Sequence, residues 1–360
     1  MKKFTVSPGG WLCAVALLFC SVTVSAQTPQ LTPEQWDNQK LNGTLDGKAP
    51  ATYIKSDFSP VQFRISPSVP VQPASTSCSC WQTRDLTFSV APFTNGVPPN
   101  YRSDDGSTPA IPLPFNFCLY GQNWNSVFIN NNGNVSFGAA YGTFTAAGFP
   151  NAAFQMVAPF WADVDTRNAA SGLVYYKITP TYMIVQWDGV GYYNSHVNLT
   201  NTFQLIITDG SDPIVPNGNV SFCYRDMQWT TGDASNGSGG FGGFDAVVGA
   251  NKGDGVNYIQ FGAFNQPGNA YNGPANGGSG IDWLDNQSFT FDACTNNNNI
   301  PPTLAGLNPC DTLRICEGDT VQLNPQFFSP EVGQITTITT STGNGYTVVS
   351  NTPGNTAQLN

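Results

Sequence analysis

Asp163 and Asp165, two residues apart in FWADVDT, are the sharpest chemical feature of this 360-residue chain. Alternate residues of an extended segment point the same way, so both carboxylates leave one face. With Asp188 or Asp209 from neighbouring segments they would make a hard, oxygen-only ligand set of the kind calcium takes. The competing reading has them ending a strand and capping turns in solvent. No EF-hand spacing supports calcium. The stretch GGFGGFDAV at 239–247 has one residue too many before its aspartate for the calcium-binding nonapeptide, and it occurs once. No cofactor is expected other than calcium at these carboxylates.

A second cluster is DMQWTTGD at 226–233. One reading exposes Trp229 as a stacking platform beside Asp226 and Asp233, joined by Tyr192 and Tyr193. The other buries Trp229 as a loop anchor while the threonines and aspartates cap backbone N–H groups. Catalysis finds little support. His196 is the sole histidine, no GxSxG elbow surrounds any serine, and a multi-histidine zinc site is impossible. Two carboxylates suffice for a glycosidase, but no specific signature points there, and the expectation is a chain without catalytic residues.

Charged residues make up 10% of the chain and the formal charge is −10. Nucleic acid is therefore an unsuitable partner, because its binding needs basic patches. Lys2 and Lys3 precede an apolar run, Trp11–Val24, and Val24-Ser25-Ala26 supplies the small residues of a cleavage site. The expectation is a signal peptide over 1–26 and a mature chain with no transmembrane segment, secreted or held at the cell surface. The Lys-Lys-Phe start suits a bacterial exported protein. Of nine cysteines, Cys13 and Cys20 leave with that peptide and seven remain. In an exported chain these favour disulfides. Cys223 with Cys294 is the preferred pair, since both lie in late strands of one domain. Cys310 with Cys316 would close a small loop, and Cys118 with Cys78 or Cys80 would clip the N-terminal segment to the core.

Short apolar runs separated by Gly, Asn, Asp and Pro must position these groups. Strands are expected at 86–90, 127–129, 134–137, 172–178, 182–187, 202–208, 220–224, 246–249, 257–261 and 288–291. In TYMIVQW, Met183, Val185 and Trp187 share one face; in TFQLII, Phe203, Leu205 and Ile207 do. Many short strands without a helical stripe predict an all-β, antiparallel sandwich-like architecture. Residues 27–80 read as an extended or disordered leader, in which only Thr32–Lys40 suits a short helix. The core domain is placed at 81–294 and a linker at 295–302. A partial immunoglobulin-like or PKD-like β-module is placed at 303–360, which suggests a fragment of a longer multi-domain protein.

The stretch VAPFWADVDTRNAASGLVYYKITPTYMIVQW at 157–187 resembles the core of the extracellular NIDO domain family. PFNFCLYG (114–121), INNNGNVSFG (129–138), TFQLIITDGS (202–211), NGNVSFCYRDMQWTTGDAS (217–235), GGFGG (239–243) and SGIDWLDN (279–286) fit the same family in the same order. The resemblance covers about half the chain. It implies a non-catalytic extracellular adhesion module, binding a matrix or cell-surface protein or a glycan. A carbohydrate-binding module stacking sugars on Tyr175, Tyr176, Trp187, Tyr192 and Tyr193 is the alternative. A structural spacer of a large surface protein is the third reading.

Overall fold

The computed structural model of the chain describes residues 38–42, 44, 80–294, 303–305, 326–330, 348–350 and 356–359. Two sheets build the body. The first runs in the order β1 (Ser89–Val90), β6 (Leu173–Ile178), β7 (Tyr182–Tyr192), β8 (His196–Thr208), β9 (Val220–Met227), β13 (Ser288–Phe291). The second runs β12 (Ser279–Gly280), β11 (Tyr258–Gln266), β10 (Ala246–Asn251), β5 (Gln155–Trp161), β4 (Asn134–Phe137), β3 (Gln122–Asn130), β2 (Ile111–Leu119). All pairings are antiparallel except β11 with β12. The fold is an all-β sandwich.

Alternation along the central strands explains why the sheets face each other. Met183, Val185 and Trp187 of β7 and Phe203, Leu205 and Ile207 of β8 all enter the main core. Each large side chain so buried contributes roughly 1.5–3 kcal/mol. The residues between them, Ile184 and Ile206, face outward, yet they are buried too, under Trp81 and Phe88 of the N-terminal segment. On the far side of the second sheet, Met156, Ala158 and Trp161 of β5 lie beneath Tyr141, Ala146 and Phe149 of the β4–β5 connection. Loops thus cover both outer faces.

Strands β2 and β5 escape the sequence reading, and proline is the reason in each. β2 reads IPLPFNFCL, with Pro112 and Pro114 on its exposed face while Ile111, Leu113, Phe115 and Phe117 point inward. It is an edge strand, where a missing N–H costs no ladder bond. β5 is central and carries Pro159. There the register slips: Val247 faces Trp161 whereas Gly249 faces Ala158, so a bulge absorbs the proline.

The expected Cys223–Cys294 disulfide is replaced by two others, Cys80–Cys223 and Cys118–Cys294. Phe222 and Tyr224 of β9 point into the core, so Cys223 between them must point outward, to the segment lying over that face. Cys294 follows edge strand β13 and meets Cys118 on edge strand β2, tying the two sheets together. The Tyr120 N–H donates to the Ala293 carbonyl beside it, at 2.6 Å. Cys310 and Cys316 lie outside the described residues.

Beyond residue 294, β14 (Thr303–Ala305), β15 (Gln326–Phe328), β16 (Val348–Ser350) and β17 (Thr356–Leu359) form a four-stranded antiparallel sheet in the order β14-β15-β17-β16. Phe328 is buried against Phe261, Tyr271, Trp283 and Phe289. No helix among the described residues is long and apolar enough to cross a membrane.

Candidate functional site

At one end of the sandwich four chain segments meet around a single buried ammonium. Lys40, from a helical turn at 38–41, is 1% exposed. Its Nζ lies 2.7 Å from Asp163 Oδ1, 3.1 Å from both carboxylate oxygens of Asp104 and 3.1 Å from both of Asp105. The ring centroids of Tyr193 and Phe144 lie 4.0 and 4.3 Å from the same nitrogen. Thr32, the expected cap of this helix, lies outside the described residues.

Each wall of the pocket has a local cause. Asp104 and Asp105 sit in a loop held by Ser103, whose N–H donates to Thr166 Oγ1 and whose hydroxyl accepts the Gly106 N–H. Asn131 and Asn132 form the turn between β3 and β4. Gly133 completes that turn with φ +73°, and a Cβ there would overlap the Phe160 carbonyl oxygen. Only glycine permits the turn to lie so close on β5. The Asn131 side chain donates to the Asp104 and Val164 carbonyls, and Asn132 Nδ2 donates to Asp105 Oδ1 at 2.9 Å. Asp163 leaves the end of β5, and Gly232 faces its carboxylate so closely that a Cβ would stand 2.6 Å from Oδ2. The distinctive DMQWTTGD stretch therefore shapes this pocket from behind.

Electrostatics in the pocket are strong because water is excluded. Burial alone would pull the Lys40 ammonium down, but attraction by Asp104, Asp105 and Asp163 outweighs it and holds its pKa above the ordinary lysine value. Burial pushes Asp104 well above the usual carboxylate range, reinforced by Asp105 and opposed by Lys40. Asp163 is pushed up to about 7, again chiefly by burial, with Lys40 opposing.

The structure brings Asp163 and Asp165 into one buried region, but not with Asp188. Asp165 pairs with Arg167 Nη2 at 2.7 Å and accepts the Ser195 N–H at 2.9 Å; the same guanidinium approaches Asp104 to 3.7 Å. Asp188 instead pairs with Arg84 at 3.3 Å. Asp104 and Asp105 take the places expected of Asp165 and Asp188. Their signal, the acidic pair in SDDGS, is visible in the sequence, but nothing local links it to residue 163.

The aromatic platforms are corrected as well. Trp229, Tyr192, Tyr193 and Trp187 are all within about 1% of complete burial, so none offers a face to a ligand. Trp229 donates from Nε1 to the Val190 carbonyl, and its ring meets Phe160 edge-on and lies against Tyr192. Tyr175 and Tyr176 are half-buried, with Arg84 over the Tyr175 ring. Asp233 is within 2.9 Å of His196 Nε2, and Asp226 is exposed and accepts from Gln228.

Near Asp226, Asp285 accepts the Met227 N–H at 2.9 Å, and its pKa is raised to about 6 by burial and by repulsion from Asp226 and Asp282. Between about pH 4 and 6 the folded chain holds a proton there that the unfolded chain lacks, so this group's stabilisation is lost as pH rises through that window. Asp285→Asn keeps the acceptor and removes the titration. Melting temperatures from pH 4 to 7 are expected to fall less steeply with rising pH in that variant than in the wild type.

A separate cleft of about 310 Å³ lies at the glycine-rich loop, lined among others by Asn236, Phe244, Asp245, Val247 and Gln260.

Comparison with known proteins covers this same body. Human and mouse alpha-tectorin are each 33% identical to it over 208 residues, spanning 49% of this chain and 9% of theirs. Chicken alpha-tectorin is 31% identical over 201 residues, spanning 48% and 9%. The chain thus covers under a tenth of the length of these relatives. No solved structure matches it. The NIDO related family model matches residues 80–293, the two-sheet body and the pocket walls but not Lys40, and the chain belongs to that family.

Proposed function

We propose that this chain is an exported, non-catalytic binding module that attaches to an extracellular matrix or cell-surface partner. The observation that carries this reading is the match of the whole two-sheet body to the NIDO related family and to alpha-tectorin. The internal use of the chemically capable groups supports it: Asp163, Asp165 and Arg167 hold the fold's own segments together. Binding would then fall to loops on a rigid scaffold, with the cleft around Phe244, Asp245 and Gln260 as the concave surface on offer.

Export rests on the leader at 1–26, so the secreted protein should begin at Gln27 by N-terminal sequencing. Residues 303–360 would open a further immunoglobulin-like or PKD-like module. An array of matrix proteins, glycans and cell surfaces, probed with the exported chain, tests the binding reading; silence on all three would leave the spacer reading in its place. The sugar-binding alternative loses Trp187, Tyr192 and Tyr193 as stacking faces, and protein partners are preferred accordingly.

A further inference from the structure

We propose that the pocket of Asp104, Asp105 and Asp163 is a calcium site which the Lys40 ammonium occupies in competition with the ion. The geometry around Nζ is the first ground. Five carboxylate oxygens converge on it at 2.7–3.1 Å, with Asp104 and Asp105 each presenting both oxygens. An ammonium has three N–H donors and cannot satisfy five acceptors. Bidentate carboxylates closing on one central point are how a calcium ion is held, at 2.3–2.6 Å with six to eight oxygens. A contraction of a few tenths of an ångström converts one arrangement into the other.

Charge is the second ground. The carboxylates of Asp104, Asp105 and Asp163 converge on one lysine, while Arg167 pairs with Asp165 at 2.7 Å and reaches Asp104 at 3.7 Å. Exchanging the ammonium for a divalent ion would bring one more positive charge to this acidic set. Unsatisfied oxygens are the third. Asp163 Oδ2, Asn131 Oδ1 and Asn132 Oδ1 are buried without a hydrogen-bond partner among the described residues. Asp163 Oδ2 belongs to a carboxylate already in the shell, and both amides are bonded to the Asp104–Asp105 loop. Turned onto a bound ion, they would supply the further oxygens a calcium shell requires. With no histidine or cysteine in the set, a hard cation is favoured over zinc or copper.

Two states follow. In one, Lys40 plugs the pocket and docks the 38–41 turn onto the body; in the other, calcium fills it and the turn is released. Extracellular calcium sites commonly bind in the range of about 0.1–1 mM, so external calcium would set the balance. This inference is independent of any adhesive partner.

The experiment uses the exported chain and Lys40→Gln, with calcium chloride and magnesium chloride as probes in isothermal titration. The variant should bind one calcium per chain at least about tenfold more tightly than the wild type, because the competing tethered cation is gone. Magnesium should bind far more weakly in both. A second reading needs no variant. Trypsin must take Lys40 into its own pocket to cut after it, so the docked lysine is protected, and about 2 mM calcium should accelerate cleavage at Lys40–Leu41 in the wild type. Equal calcium affinity in the two chains, no calcium binding in either, or calcium-independent cleavage after Lys40 would each overturn the proposal.

Discussion

Lys40→Met in calcium-free buffer is expected to lower stability by about 3–5 kcal/mol, the usual cost of removing one partner from a buried ion pair. Burial of the lysine is not in itself stabilising, since taking both charges out of water cancels much of their attraction. The loss comes from what is left behind: the buried Asp104 and Asp163 and the partly buried Asp105, mutually repelling. A control separates this cause from simple loss of packing against Phe144 and Tyr193. Adding Asp163→Asn to Lys40→Met should recover part of the loss, giving a coupling energy on the order of 1–3 kcal/mol in a double-mutant cycle. Chemical denaturation midpoints read both effects. If the two substitutions simply added, the pocket would not be an electrostatic unit.

Trp187→Ala is expected to cost about 3–5 kcal/mol, as large core truncations do. The ring is wholly buried, stacks on Phe203 with centroids 4.9 Å apart and lies between the two sheets. Its second role reaches the pocket. Trp187 Nε1 donates to the Asn131 carbonyl at 3.0 Å, and Asn131 in turn holds the Asp104 loop. Trp187→Phe keeps a stacked ring but leaves the buried Asn131 carbonyl without this donor, so it should cost about 1–3 kcal/mol, less than the alanine variant. If the Asn131 carbonyl positions the acidic loop, calcium affinity should fall in Trp187→Phe more than its stability loss suggests. Unchanged affinity would confine Trp187 to a packing role.

Much of the architecture is legible in the residues because strand periodicity is local. Met183, Val185 and Trp187, or Phe203, Leu205 and Ile207, show their common face without any neighbour. Prolines hid β2 and β5, since whether a missing N–H is harmless depends on an edge or a bulge that only pairing creates. The aromatic platforms failed for a related reason. A Trp or Tyr in a turn-rich stretch can face either way, and here the Gly240 loop closes over Trp229.

What the residues determined alone is an all-β scaffold of the NIDO family, because alternation, turn chemistry and short motifs are properties of contiguous chain. Tertiary structure decided the pairing of Cys80 with Cys223 and of Cys118 with Cys294, across separations of 143 and 176 residues. It alone decided the pocket too: Lys40 meets Asp104 across 64 residues and Asp163 across 123. Groups so far apart carry no mutual signal in spacing. Their meeting follows from two sheets closing on a common core, which brings loop ends together whatever their distance along the chain.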